Sequence, residues 1–413
     1  MRYLVILGDG MADRPVPELG GRTPLEAAHK PHMDWLAQHG EVGMAKTVPE
    51  GMPPGSDTAN LSVMGYDPRT CYSGRSPLEA VSMGIPLAED DVTFRCNLVT
   101  LSDEEEYEDC TMVDYSSDEI STQESAQLIH DLNQQFHTES RDLFPGISYR
   151  HCLVIHHAKT GSVCTPPHDI SGKPIRDHLP GGTYGAELLE LMKRSRQILR
   201  DHPVNKARVA RGLRPATSCW FWGEGTRPAI QNFTEKYGVK GGVISAVDLI
   251  KGIAICAGLE SVDVEGATGN VHTNFPGKAQ AAIDLFRRGA QFVYIHMEAP
   301  DECGHRHEVE NKVKSIELID QQVVGPVMEA LKEDGEPFSV LVMPDHPTPL
   351  DIRTHTPDPV PFVLWRSDRE GAHPAPRYTE AEGEKTGLYV PQGCRMMDWL
   401  IRDEKSQVVE KKS

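Results

Sequence analysis

A chain of 413 residues exceeds the size at which one hydrophobic core usually stops growing, so two domains, or one domain carrying a large insertion, are expected. Sixty-one acidic against 42 basic residues leave a formal charge of −19. No Lys/Arg-rich run is present to neutralise a phosphate backbone or an anionic lipid surface, which argues against nucleic acid and membrane as partners. A small anionic substrate can still bind where metal ions or a few arginines reverse the field locally.

In chain order, Tyr3–Leu7 is a continuous β-prone run ending at Gly8-Asp9-Gly10, the pattern of a buried parallel strand that delivers Asp9 to its carboxyl end. A helical pattern follows over Pro24–His39. Pro53-Pro54-Gly55-Ser56-Asp57-Thr58-Ala59-Asn60 places a serine at the start of a helical run. From about Asp90 to Arg227 the character changes, with the acidic run Asp103–Glu106, the Pro-rich Thr165-Pro166-Pro167-His168-Asp169, and mixed strand and helix signals. This stretch reads as an inserted α+β domain, residues 90–227, within a core formed by 1–89 and 228–413. Another helical pattern spans Ala246–Gly258, and strand-like runs at Phe292–His296 and Ser339–Met343 lead toward Asp301 and Asp345. Alternating strands and helices predict an α/β core with a mainly parallel sheet, whose sites lie at the strand carboxyl ends.

Nine scattered cysteines with no C-x-x-C pair fit a reducing cytosol, and no apolar run reaches signal-peptide or transmembrane length; a cytoplasmic protein is expected.

Asp301 and His305 stand four residues apart, so both side chains can converge on one face of a helical turn. Alone, such a pair is more often structural. Asp345-His346 at a strand end, His355 in the following loop and Asp9 bring the donors to three carboxylates and three imidazoles, enough for two divalent ions. Ser56 has no G-x-S-x-G elbow, and a serine there commonly only satisfies a helix N-terminus. A nearby metal would activate its hydroxyl without a general base. The P-loop, the dinucleotide fingerprint and H-E-x-x-H are missing, which leaves phosphoryl or sulfuryl transfer as the reaction class. His307 reads as a surface histidine.

Together, Asp9, Gly55–Ala59, Asp301-x-x-Gly304-His305, Pro344-Asp345-His346 and His355 resemble the cofactor-independent phosphoglycerate mutases, archaeal-type branch of the alkaline-phosphatase superfamily. Leu19–Glu26, Gly74–Ala80, Phe94–Asn97 and Ser245–Leu249 extend the likeness along nearly the whole chain. The resemblance implies an alkaline-phosphatase-like sheet with helices on both faces. It implies one metal on Asp301, His305 and His355, and a second on Asp9, Asp345, His346 and the Ser56 oxygen. Mn2+ is the expected ion, with Mg2+ and Zn2+ as alternatives. Ser56 would relay the phosphoryl group between the hydroxyls of 3- and 2-phosphoglycerate in glycolysis, the inserted domain closing over the substrate. Asp57, Arg75, Arg95, His168, Asp169 and Arg208 are the candidate substrate-binding residues.

Two departures bear on the substrate. Asn60 stands where the family pattern places a histidine, and the segment Val113–Glu119 is acidic where the pattern is arginine-rich. A branch resembling this chain has been proposed to act on homoserine, and an acidic segment would suit its ammonium group; a homoserine kinase-like phosphotransferase is therefore the alternative reading.

Overall fold

The computed structural model describes residues 1–411. It divides into two compact units, Met1–Tyr72 with the segment from Ala229 onward, and Ser73–Pro228. The sequence reading put the first border near residue 90. It lies earlier because the helix Ser76–Ser82 packs on the strands Val92–Leu101 and Ser218–Thr226 of the second unit.

The first unit is built on a sheet that has nine strands among the described residues. Across it the order is Glu260–Val262, Gly241–Ile244, Phe292–Met297, Arg2–Gly8, Phe338–Met343, Val360–Arg366, Glu41–Ala45, Leu388–Val390 and Glu410–Lys411. The first five are mutually parallel, whereas Val360–Arg366 runs antiparallel to both its neighbours. Arg2–Gly8 sits centrally, and its apolar run is explained by burial on both faces: Leu4 to Leu7 are fully enclosed. Gly8 pairs with Met297 and Leu7 with Met343, so the three strands end at one edge. The residues just beyond them, Asp9, Asp301 and Asp345, are thereby brought to a common rim.

One face carries Leu4, Ile6, Val293 and Ile295 into a core with Phe275, Ala282 and Phe286 of the helix Phe275–Arg287 and with Ile316 and Val327. Strand alternation sends Tyr294 and His296 to the opposite face. There the Tyr294 hydroxyl reaches Asn60, on the helix Ser56–Val63. The expected helix over Pro24–His39 is two, Pro24–Ala27 and Pro31–His39. Pro31 forces Lys30 out of helical geometry, φ −136°, and the Asp320 carboxylate accepts from the His32 and Met33 amides that the new helix start leaves unpaired. The pattern at Ala246–Gly258 resolves as the helix Asp248–Cys256.

The second unit is α+β. Its sheet joins Met112–Asp114, Val92–Leu101, Arg150–Ile155 and Arg141–Phe144, with Ser218–Thr226 also on Val92–Leu101, all antiparallel. The helices Thr122–Phe136 and Gly185–Arg200 bury Leu128, Leu132, Leu188 and Met192 in its separate core. All nine cysteines are free thiols, and no helix among the described residues is long and apolar enough to cross a membrane.

Candidate metal centre and nucleophile

At the sheet rim the chain turns at Gly10, φ +60°, where a Cβ would lie 2.5 Å from Thr348 Oγ1 and 2.7 Å from Asp301 Oδ1; only glycine fits. Asp301 and His305 occupy one turn of the helix Ala299–Arg306, with Asp301 Oδ2 3.3 Å from His305 Nε2. His355 Nε2 lies 3.4 Å from Asp301 Oδ1 and 2.9 Å from His305 Nε2. The His305 Nδ1 is 2.9 Å from the Arg353 carbonyl, which only accepts, so Nδ1 carries the proton and Nε2 presents its lone pair. Two ring nitrogens aimed at each other and at a carboxylate call for a shared cation between them.

A second group adjoins the first: ligand atoms of Asp9, Asp301 and His346 all lie within 4.8 Å of one another. Asp345 Oδ2 stands 3.5 Å from His346 Nε2, as does Asp9 Oδ1. The Ser56 hydroxyl sits among them, 3.2 Å from His346 Nε2 and 3.3 Å from Asp9 Oδ2. Ser56 is the first residue of its helix and Gly55 its N-cap, so the hydroxyl is not consumed in capping. Burial, reinforced by the Asp345 and Asp301 carboxylates, pushes Asp9 well above the usual carboxylate range. For Asp301 burial acts the same way, but the His305 and His355 rings outweigh it and hold the carboxyl well below. Buried carboxylates crowded against imidazole lone pairs are the donor chemistry that divalent cations satisfy, so the residues fit the two ions expected.

Four residues that support this cluster escaped sequence reading: His296, Ser245, Tyr294 and Asn60 in its bridging role. His296 Nε2 is 2.9 Å from Asp9 Oδ2 and its Nδ1 3.2 Å from Ser245 Oγ. Against an ionised Asp9 carboxylate, which a bound cation would require and which only accepts, Nε2 carries the proton and donates to Oδ2; Nδ1 is then left to accept from the Ser245 hydroxyl, whose oxygen also accepts from the Val247 amide. Burial lowers the His296 pKa to about 3, keeping the ring neutral. Asn60 Nδ2 donates to Asp345 Oδ2 and to the Ser56 carbonyl, both at 2.8 Å, while Tyr294 donates to Asn60 Oδ1 at 2.6 Å. His296 could have been noticed as a polar residue near the end of an otherwise apolar strand; nothing local marks Tyr294. His307, read as a surface residue, is half-buried: it closes its helix in the left-handed conformation, φ +57°, with Nδ1 on the Leu350 carbonyl.

The candidate substrate residues fare unevenly. Asp57 belongs to the helix Ser56–Val63 and accepts from the Thr58 amide and the Tyr72 hydroxyl. In the second unit, Glu79 lies between Arg75 Nε at 2.7 Å and Arg95 Nε at 2.9 Å. The Arg95 guanidinium also stacks 4.2 Å over Trp222. Burial brings Arg95 down to about 10 despite Glu79. His168 meets the edges of Trp222 and Tyr115, and Asp169 is exposed beside it. Arg208 is a correction: it is 1% exposed, with its fork on the Glu124 carboxylate and the Ser117 and Arg214 carbonyls, so it buttresses the fold rather than meeting a ligand. The acidic segment is likewise occupied. Asp114 accepts from the Ser116 and Asp118 amides, and Asp114 and Asp118 both pair with Arg214.

Fold and site together define an α/β enzyme with an acidic and histidine-rich metal-type cluster around a serine. A family model described as 2,3-bisphosphoglycerate-independent phosphoglycerate mutase matches residues 37–205. Proteins named as such mutases share 52% identity over 364 residues in Methanothrix thermoacetophila, covering 88% of this chain and 90% of that one, and 46% over 403 residues in Methanosarcina barkeri, covering 97% and 100%. Among solved structures, the PH0037 protein from Pyrococcus horikoshii matches at TM-score 0.80 and 30% identity over 100% of this chain and 99% of that one. The cofactor-independent phosphoglycerate mutase from Thermoplasma acidophilum matches at TM-score 0.66 and 26% identity over 97% and 99%. The chain belongs to the 2,3-bisphosphoglycerate-independent phosphoglycerate mutase family, a family of isomerases.

Proposed function

We propose that this chain interconverts 3-phosphoglycerate and 2-phosphoglycerate by passing the phosphoryl group through Ser56. The observation that carries the reading is the Ser56 hydroxyl, free of any capping bond and held 3.2 Å from His346 and 3.3 Å from Asp9. Asp301, His305 and His355 would hold one divalent ion, and Asp9, Asp345, His346 and the Ser56 oxygen the other, with Mn2+ expected and Mg2+ or Zn2+ as alternatives. Ions bound there supply positive charge that acidifies the serine hydroxyl and offsets charge on the phosphoryl oxygens.

Ser56 Oγ then attacks phosphorus. An O–P bond forms to the serine as the bond to the 3-hydroxyl oxygen breaks, and that oxygen takes up the proton the serine lost. The return step is the reverse, onto the 2-hydroxyl. His296 and Asn60 keep Asp9 and Asp345 in place throughout, through the bonds described above. For the anionic groups of the substrate, Arg75 and Arg95 are the candidate grips, with Trp222 fixing the plane of the Arg95 fork, and with His168, Asp169 and Asp57 as further contacts. The homoserine alternative loses support, because Asp114 is already taken up by the Ser116 and Asp118 amides and both Asp114 and Asp118 pair with Arg214.

The test is a coupled assay with 3-phosphoglycerate on metal-loaded enzyme, run beside homoserine with nucleotide phosphate donors. Turnover of phosphoglycerate is expected, lost with Ser56→Ala while metal uptake persists. Full turnover in Ser56→Ala, or activity on homoserine alone, overturns the assignment. A reducing cytoplasm and a small phosphorylated substrate follow from the same reading.

A further inference from the structure

Thr348 is fully buried beneath the cluster. Its hydroxyl donates to Asp301 Oδ1, and the same oxygen lies 3.3 Å from His346 Nδ1. An ionised carboxylate only accepts, so the hydroxyl proton goes to Asp301, and Oγ1 is left to accept from Nδ1–H of His346. That settles the ring: its Nε2 lone pair faces Ser56 and Asp9. One oxygen thus orients a carboxylate of the first group and an imidazole of the second.

The residue is itself held rigidly. Its amide donates to the Ala12 carbonyl at 3.3 Å, and its carbonyl accepts from Lys312 Nζ at 2.8 Å, a buried lysine that also bonds Asp13 Oδ2 at 2.7 Å. Two glycines make room for it: a Cβ on Gly10 would meet Thr348 Oγ1 at 2.5 Å, and one on Gly304 would collide with the Thr348 carbonyl. We propose that Thr348 is a positioning residue that couples the two ion sites, so that the geometry of one sets the geometry of the other through a single hydroxyl. The proposal rests on the metal-site reading above. It assigns Thr348 no contact with substrate.

Metal-free full-length protein is titrated with Mn2+, and separately with Zn2+, by isothermal calorimetry in the wild type, Thr348→Val and Thr348→Ser. Thr348→Val keeps the shape and removes the hydroxyl; it is expected to weaken both binding steps by about ten- to a hundred-fold, the range seen when outer hydrogen bonds to metal ligands are lost. Thr348→Ser should restore both to within a few-fold of wild type. Loss at one step only, or unchanged affinities in Thr348→Val, overturns the coupling. A wild type that takes up no ion overturns the metal reading itself, and the coupling with it. Should Thr348→Val fail to fold, 15N-detected NMR of the wild type decides: Nδ1–H on His346 supports the proposal, and Nε2–H refutes it.

Discussion

Replacing Asn60 by leucine isolates the neutral hydrogen-bond bridge that ties the helix Ser56–Val63 to the rim of the sheet. Asn60 and Tyr294 are both fully buried, and the bridge runs from the Tyr294 hydroxyl through Asn60 to Asp345 Oδ2. Leucine fills the space of the amide, so little cavity forms. What is lost is the donor to Asp345 and the acceptor for Tyr294, each left buried without its partner at about 1–3 kcal/mol, or about 2–6 kcal/mol together. Tyr294→Phe alone orphans only Asn60 Oδ1 and should cost about 1–3 kcal/mol. In the Asn60→Leu background, however, Tyr294→Phe removes an already stranded hydroxyl and should be neutral or stabilising. The double-mutant cycle therefore predicts a coupling of at least about 1–3 kcal/mol, reached if removal of the stranded hydroxyl is neutral, and about 2–6 kcal/mol if its full orphan cost is relieved. Urea unfolding followed by circular dichroism and tryptophan fluorescence measures it. If the two losses simply add, the bridge contributes nothing as a unit and the reasoning fails.

Gly10→Ala combines a left-handed backbone, about 1–3 kcal/mol, with the clash against Thr348 and Asp301, about 1–3 kcal/mol more, and should lower Tm sharply; a Tm within a degree of wild type would show that the turn can relax. Glu380 is raised to about 7, chiefly by burial, while its Oε1 and Oε2 accept from the Asp13 amide and the Thr23 hydroxyl. A raised acid keeps its proton in the folded state after the unfolded chain has lost it. Stability should therefore fall as pH rises from the ordinary glutamate value of about 4.5 toward 7, by about 3 kcal/mol in all. Glu380→Gln should remove that slope, being more stable than wild type at pH 8 and matching it below pH 4; parallel Tm-against-pH curves for the two proteins would contradict this.

The cluster of carboxylates and imidazoles was legible because its signals are local. A strand ending in a carboxylate, an Asp and a His four apart on one helical turn, and Asp345-His346 after an apolar run each announce a place on an α/β rim. The support was not legible, since it depends on register: Tyr294 and His296 face the site only because Val293 and Ile295 face the core, and Thr348 matters only because Gly10 lets it approach Asp301. Arg208 misled for the related reason that an arginine in sequence does not disclose whether its fork is already filled; here Glu124, Ser117 and Arg214 fill it. The acidic look of Asp114 to Glu119 was equally uninformative until Arg214, far along the chain, was seen to pair with Asp114 and Asp118.

The central strand Arg2–Gly8 leaves the ribosome well before both its neighbours, Phe292–Met297 and Phe338–Met343, which lie about 300 residues further along the chain. At about 5–20 residues per second the wait is on the order of 20–70 s, during which a stretch of buried aliphatic side chains has no partner. The Ser73–Pro228 unit, contiguous in sequence, is free to fold meanwhile. Nascent chains stalled before residue 338 should accordingly lose the segment ahead of Ser73 to protease while the middle unit resists; protection of that early segment would mean it finds a provisional partner. Biosynthesis of this enzyme thus leans on whatever shields the Arg2–Gly8 strand until Phe338–Met343 has been made.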